Sequence, residues 1–328
     1  MSPCSPRSAV AAELVLALGL VLVALQAREF FRARASLLQA VYEDVAAATR
    51  AAAADLDAAQ RECMTAVQGL IADLAAGRLS FADVERRLAH EAASHPHLFG
   101  VVVVFPGSGG ALLVPADIRG VKGRTHVRLD RSVDVPGTDW YAFAAAQTEP
   151  AWGGPVRGTW SGHYLALFCG PWSPPGRPSA RGHVCASLSL HDLEALRQSL
   201  PAGRFGYTWL LSREGRSLSH PKVDWVRAAR TPDELAEETG DPRLRELGRR
   251  AAAGEAGSLQ AADPLTGRAA VMIQAPIPAS GGSLIAVILR DDIVAAEPSL
   301  RRRQIDIVVA VLATLTATAT LLLTGGRR

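Results

Sequence analysis

A helical repeat of apolar residues dominates the first quarter of the chain. Apolar side chains between Leu37 and Leu74 recur on one stripe with an average spacing of about 3.7 residues, close to the period of an α-helix. Neither Pro nor Gly occurs from Arg28 to Val67, and Gly77 offers a helix stop. We predict a long helix whose stripe packs on its own domain, forms the seam of a homodimer, or does both. The stripe comprises Leu37, Val41, Val45, Ala48, Ala52, Leu56, Ala59, Cys63, Val67, Leu70 and Leu74.

Two apolar runs lie near the ends of the chain. Ala9–Leu25 is apolar except for Glu13, and Ile307–Thr324 contains no charged residue and is flanked by arginines. Both runs are long enough to cross a bilayer as helices. A cleaved signal peptide is the alternative for the first run, although Arg7 is the only basic residue before it. We predict transmembrane helices at 9–27 and 305–324.

Short β-rich runs between these helices predict antiparallel sheets. The runs 100–105 and 111–114 flank a Pro- and Gly-rich turn, and 207–211 with 216–219 repeats this strand–turn–strand unit. A helix is predicted at 80–93, with Ser80 as its N-cap and Asp83 in its first turn. Further elements are expected as strands at 163–171, 182–190, 271–275 and 283–289 and as a helix at 190–200.

Composition excludes several function classes. The net charge is only +3, which predicts no nucleic-acid partner. His95 and His97 lack a third ligand nearby, so no metal site is expected. Phosphate-binding loops, phosphorelay motifs and paired catalytic carboxylates are not recognisable, so we expect neither a cofactor nor an enzyme.

Aromatic residues concentrate in two blocks of the chain. Thr138-Asp139-Trp140-Tyr141 precedes Trp152-Gly153-Gly154-Pro155 and the two apolar runs after it, and a second block runs from Gly206 to Pro221. These blocks resemble double-Cache sensor domains, most closely those of membrane-bound bacterial phosphatases and histidine kinases. The resemblance covers roughly residues 28–300.

The resemblance implies an α+β fold with a long N-terminal helix and two tandem Cache (PAS-like) lobes of antiparallel sheet, enclosed between two transmembrane helices. The implied segments are a cytoplasmic tail at 1–8, a transmembrane helix at 9–27, a stalk helix at 28–78, a membrane-distal lobe at 79–198, a membrane-proximal lobe at 199–300, a transmembrane helix at 305–324 and a cytoplasmic tail at 325–328.

The resemblance also implies a ligand pocket in the distal lobe. Trp140 and Tyr141 would form its aromatic wall and Trp152 its far side, with Trp160 close by in sequence; core packing is the alternative role for these rings. Relatives that bind amino acids carry an Arg, a Tyr and an Asp at the positions of Thr138, Phe168 and Ser187. Since Arg would clamp a carboxylate and Asp an ammonium group, we expect a small, mostly uncharged or singly anionic ligand instead of a free amino acid. Arg157 and His163 are near enough in sequence to meet a carboxylate, but either could equally be solvated.

Two cysteines are placed symmetrically about a turn. Cys169 and Cys185 lie at equal distances from the centre of a Pro- and Gly-rich loop at 173–181. A hairpin turning there would bring them face to face, so a disulfide is predicted if this part of the chain is exported.

Two observations about membrane topology point in opposite directions. The arginines that border the enclosed domain favour a cytoplasmic location by local count, but long domains translocate largely regardless of charge. The resemblance favours the outside of the cell membrane, and we predict a two-pass protein with an extracytoplasmic main domain.

The predicted function is that of a membrane-anchored small-molecule sensor without its own output domain, which signals through a separate protein. A structural or interaction module with a vestigial pocket, or the sensor fragment of a truncated kinase or phosphatase receptor, is the alternative.

Overall fold

A computed structural model describes residues 6–106, 112–120, 123–129, 135–159, 162–190 and 202–325. The chain divides into two compact units, one of Val45–Ile288 and one that joins Met1–Asp44 to Leu289–Arg328. The helices are α1 (Pro6–Ala75), α2 (Phe81–Ser94), α3 (Asp139–Ala146), α4 (Ala202–Phe205), α5 (Val223–Arg227), α6 (Pro232–Thr239), α7 (Pro242–Ala252), α8 (Arg290–Ala295) and α9 (Pro298–Gly325). The strands are β1 (Gly100–Pro106), β2 (Leu112–Gly120), β3 (Gly123–Leu129), β4 (Ala151–Arg157), β5 (Tyr164–Trp172), β6 (Gly182–Ser189), β7 (Gly206–Leu211), β8 (Ser217–Ser219), β9 (Gly257–Ala262), β10 (Ala269–Ile277) and β11 (Gly282–Leu289).

The α1 helix is continuous over 70 residues, so the predicted first membrane span and the stalk form one element. From Val45 onwards its stripe is buried in its own unit except for the partly buried Ala48, and Cys63, Val67 and Leu70 are fully enclosed. Leu37 and Val41, nearer the N-terminus, are only partly buried. The stripe therefore packs on its own domain along the second half of the helix, the first of the two predicted roles.

An ion-pair network holds α2 against α1. The Arg87 guanidinium donates to Asp73 Oδ2 at 2.7 Å and to Glu91 Oε1 at 2.6 Å, and Glu91 is only 6 % exposed. A hydrogen bond from Arg78, together with Arg87, lowers the pKa of Asp73. Arg87 is thus the cation that neutralises a buried carboxylate between the two helices.

The first sheet has six antiparallel strands in the order β3-β2-β1-β6-β5-β4. Strands β1, β2, β5 and β6 match predicted runs, whereas β3 and β4 were missed. In β4 the register shifts between Gly153 and Val156, and such a bulge removes the alternation by which a strand is recognised. The helix predicted at 190–200 lies outside the described residues from 191 onwards.

The second sheet has five antiparallel strands in the order β8-β7-β11-β10-β9. Trp209 is fully buried in its core. Tyr207 donates a 2.6 Å hydrogen bond from its hydroxyl to Asp263 Oδ1, and burial, reinforced by this carboxylate, raises the pKa of Tyr207. The predicted α+β class, with two antiparallel sheets and a long N-terminal helix, is confirmed.

Both sheets pack on the middle of α1. Ala52, Ala53 and Leu56 share one buried cluster with Ala166 of β5 and with residues of the second sheet, among them Leu210, Ile277 and Leu284. The buried carboxylate of Asp57 accepts a 2.7 Å hydrogen bond from the backbone of Ala279, in the β10–β11 turn. One stretch of α1 therefore contacts the two lobes together.

The other unit contains the N-terminal part of α1 with α8 and α9. Windows within α1 and α9 have mean hydropathies of 2.3 and 2.1, with 6 % and 0 % of their residues buried, so both helices are long and apolar enough to cross a membrane. A Cβ added at Gly19 would collide with Thr314, so glycine permits the two helices to approach closely there.

Replacement of Arg87 by Met should lower the free energy of unfolding by about 2 kcal/mol, because Glu91 then loses its principal cation while still buried. Arg86→Met is the matched control, since Arg86 is 81 % exposed and pairs with exposed Asp83. Denaturant unfolding of both variants measures the difference. Equal losses for the two variants would show that the α1–α2 network contributes nothing specific.

Candidate functional site

A small apolar cavity lies on one face of the first sheet. Its volume is about 40 Å³, which is room for roughly three water molecules. Among the described residues, no charged side chain lines it. The lining is formed by Phe99, Gly100, Val101, Val102, Ile118, Trp140, Gly158, Thr159, Leu165, Leu167, Cys185, Ala186 and Ser187.

The alternation of β5 separates the cavity from the stalk. Leu165 and Leu167 line the cavity, whereas Phe168 packs with α1 residues on the opposite face. Successive side chains of a strand point to opposite faces, so one strand serves both surfaces. Residues of β5 therefore contact the cavity on one face and α1 on the other.

Trp140, Thr159 and Ser187 are the lining residues that carry a side-chain N–H or O–H group. Trp140 stands in the first turn of α3, is 4 % exposed and packs its ring edge-on to Tyr141 at 5.9 Å. Ser187 Oγ donates a hydrogen bond to Gly100 O at 3.3 Å. A ligand that used this hydroxyl as a donor would have to compete with the Gly100 carbonyl.

A wider polar cleft adjoins the cavity. It measures about 340 Å³ and shares Gly158 and Thr159 with the cavity lining. The exposed side chains of Asp139 and Arg157 bring one negative and one positive group to it. Thr138 also lines the cleft, with its hydroxyl donating to Val135 O at 2.7 Å. An apolar cavity that opens on a charged cleft suits a molecule with one apolar and one polar end.

The structure brings some of the sequence-predicted residues together and separates others. Trp140 and Ser187 line the cavity, and Thr138 lines the adjoining cleft. Trp152 and Phe168 lie on the opposite face of the sheet, where their rings are 5.2 Å apart and pack towards α1. Trp160 lies outside the described residues.

Tyr141 packs on the cavity side of the sheet without lining the cavity. Its ring meets His183 edge-on at 5.9 Å. Burial, with a smaller effect from Arg181, lowers the pKa of His183 and so disfavours the protonated ring. Tyr141 therefore packs against the rings of Trp140 and His183 and does not line the cavity.

The two cysteines face each other across neighbouring strands. Cys169 of β5 is the register partner of Cys185 of β6, with their Cα atoms 4.1 Å apart and their sulfurs joined. The Cα separation is slightly below the usual range of about 4.4–6.8 Å. Cys185 lines the cavity, so the predicted disulfide is part of the cavity wall.

Sequence reasoning missed much of the apolar lining. Phe99, Leu165 and Leu167 line the cavity, although none of them was singled out from the sequence. For the two leucines, the signal was their spacing of two residues within 164–172, which places them on one face of the strand but does not show that this face is the ligand side.

Sensor domains are among the solved structures that share this fold. The periplasmic sensory domain of the Campylobacter jejuni chemoreceptor Tlp1 superimposes with a TM-score of 0.63 at 9 % identity, covering 77 % of this chain and 96 % of that one. The extracellular domain of the histidine kinase soHK1S-Z6 gives 0.60 at 16 % identity, covering 80 % and 98 %. The ligand-binding domain of the Pseudomonas aeruginosa PAO1 amino acid chemoreceptor PctB, in complex with L-Gln, gives 0.50 at 18 % identity, covering 84 % and 98 %.

These similarities establish the fold. The chain has the Cache-like architecture shared by extracellular sensor domains of histidine kinases and chemoreceptors, as the resemblance in sequence implied. No protein-family model and no curated protein matches the sequence.

The disulfide has a direct test in cells. In full-length protein isolated from membranes and denatured, Cys169 and Cys185 should resist alkylation until a thiol reductant is added, since an oxidising compartment keeps them paired. Buried Cys63 is free in the structure and should react under both conditions, which makes it the internal control. Loss of the bond through Cys169→Ser should lower stability by about 3 kcal/mol in the chain-entropy model. Full alkylation of both cysteines without reductant would refute the pairing and argue against export.

Proposed function

We propose that this chain is a two-pass membrane sensor and not an enzyme, and that its first lobe binds a small molecule in the cavity and cleft described above. The observation that carries the proposal is the position of Trp140, buried beside an uncharged cavity that opens on a charged cleft, within a fold used by extracellular sensor domains. Recognition, not chemistry, is the activity that such a lining supports.

The shape and charge of the site define the ligand class. The 40 Å³ cavity takes only a small apolar end, which would lie against Trp140 and Leu167. The polar end would lie in the cleft, where Arg157 favours a single carboxylate and Asp139 disfavours a second one. Thr138 and Ser187, which replace charged anchors in relatives that bind amino acids, argue against tight binding of a free amino acid.

Transmission of the signal would begin at the face of β4 and β5 that lies away from the cavity and packs on α1. Trp152 and Phe168 pack there against the cluster that contains Val67 and Leu70 of α1. Trp152 also borders the cluster in which both sheets meet α1. A ligand that shifts β5 would move these rings against a helix that continues without a break to Pro6.

The membrane arrangement follows from the two apolar helices and the fold. We infer that α1 and α9 cross the cytoplasmic membrane at 9–27 and 305–324, and that both lobes lie outside it. Sensor domains of this fold, in histidine kinases and chemoreceptors, are described as extracellular or periplasmic, which supports this orientation.

A structural or interaction module with a vestigial pocket is the second candidate. It is favoured by the small size of the cavity and by the hydroxyls of Thr138 and Ser187, both of which already donate to backbone carbonyls. Under that hypothesis no small molecule raises the unfolding temperature of the protein.

Two tryptophans on opposite faces of the sheet provide a matched test. The full-length protein is first screened by thermal unfolding against small neutral molecules, monocarboxylates and amino acids. For any compound that binds, Trp140→Phe should weaken affinity at least tenfold, about 1.4 kcal/mol, because the indole borders the cavity. Trp152→Phe should leave affinity within about twofold, since Trp152 lies on the face towards α1.

Calorimetric measurement of ligand affinity for both variants tests whether the ligand binds on the cavity face of the sheet or on the face towards α1. Equal effects of the two substitutions would contradict the assignment of the cavity as the binding site. Tight binding of a free amino acid by the unmodified protein would contradict the interpretation of Thr138 and Ser187.

A further inference from the structure

Arginines border both predicted membrane spans on the side of the sensor domain. They lie on α1 just after the first span and on α9 just before the second, and all but Arg34, which is partly buried, are exposed. We call this group the arginine collar. Its members are Arg28, Arg32, Arg34, Arg301, Arg302 and Arg303.

The two halves of the collar lie side by side. Arg303 Nη1 donates a 3.2 Å hydrogen bond to the backbone oxygen of Glu29, which places the α9 arginines next to those of α1. Glu29 and Arg32 form an exposed pair at 3.3 Å. Within the described ranges, no hydrogen bond or ion pair occupies the guanidinium groups of Arg28, Arg301 and Arg302.

The collar adjoins a cleft and an exposed aromatic ring. A cleft of about 340 Å³ is lined by Arg301, Gln304 and Asp291 together with the apolar side chains of Val294, Ala295 and Leu300. Phe31, 62 % exposed, stands among the arginines of α1. Charged heads beside apolar surface at the end of a membrane span match the boundary between lipid headgroups and acyl chains.

The position of these arginines conflicts with the usual distribution of charge. Basic residues near membrane spans are normally enriched on the cytoplasmic side, whereas the proposed orientation places the collar outside. Phosphate groups on the same side of the membrane would explain the presence of arginines there, because a guanidinium group binds phosphate bidentately through charge-assisted hydrogen bonds.

We propose that the arginine collar binds the phosphate groups of anionic phospholipids in the leaflet that faces the sensor domain. The proposal rests on the two-pass arrangement given under the proposed function. A lipid satisfies the collar better than free phosphate does, because its acyl chains can lie along α1 and α9 while its phosphate meets the arginines.

The test uses the full-length protein in vesicles of phosphatidylcholine, with and without phosphatidylglycerol. Spin-labelled lipids should show phosphatidylglycerol enriched around the protein by at least about fivefold over phosphatidylcholine, and less at high salt. Enrichment should fall towards parity in the triple variant R301Q/R302Q/R303Q. It should persist in R213Q/R227Q/R245Q, which removes as many exposed arginines from the sensor lobes.

Other outcomes would overturn either the lipid proposal or the two-pass arrangement on which it rests. Equal association of the two lipids with the unmodified protein, or unchanged enrichment in the collar variant with a normal unfolding temperature, would overturn the proposal. Binding of inorganic phosphate to the protein in vesicles of phosphatidylcholine alone would assign the arginines to free phosphate, and this result would also overturn the proposal. Failure of the protein to remain in either vesicle would instead overturn the two-pass arrangement.

Discussion

The packing of the first sheet against α1 is the constraint on which the rest of the structure depends. Val67 and Leu70 of the helix share one buried cluster with Phe168 and Leu188 of β5 and β6. Burial of such side chains contributes about 1.5–3 kcal/mol each, which is large compared with the net stability of a domain. Because one face of these strands is occupied by the helix, the opposite face is left to form the cavity.

This division also explains why the cavity is small and its lining uncharged. Strands with both faces covered favour apolar side chains, and the cavity is a gap in such packing beside Trp140. Among the described lining residues, the charged ones are Asp139 and Arg157 of the cleft. Under the proposed function, specificity for a polar group would arise at the cleft and affinity would come from the apolar surface of the cavity.

Much of the fold followed from periodicity in the sequence. Except for the partly buried Ala48, the stripe from Val45 to Leu74 is buried as its helical spacing required, and the apolar runs of β1, β5, β6 and β11 form strands. Strands without a continuous apolar run were missed: β4 is interrupted by Gly153-Gly154-Pro155, and β3 alternates Arg124, His126 and Arg128 with Thr125, Val127 and Leu129.

The candidate site was harder to predict because it depends on which face of each strand turns towards the cavity and which face turns towards α1. A shift of one residue exchanges Leu167 for Phe168 at the cavity, and the sequence does not settle this choice. The bulge between Gly153 and Val156 puts Trp152 and Val156 on opposite faces of the sheet, whereas regular alternation would have put them on the same face. Trp140, which the resemblance placed at the pocket, lines the cavity from the first turn of α3.

Hydrogen exchange of the full-length protein, with and without a compound that raises its unfolding temperature, tests the central claim most directly. The account predicts slower exchange in β1 near Phe99–Val102, in β5 near Leu165–Leu167 and in β6 near Cys185–Ser187, together with altered exchange in α1 around Val67. Slower exchange confined to the second sheet, or to the membrane helices, would contradict it.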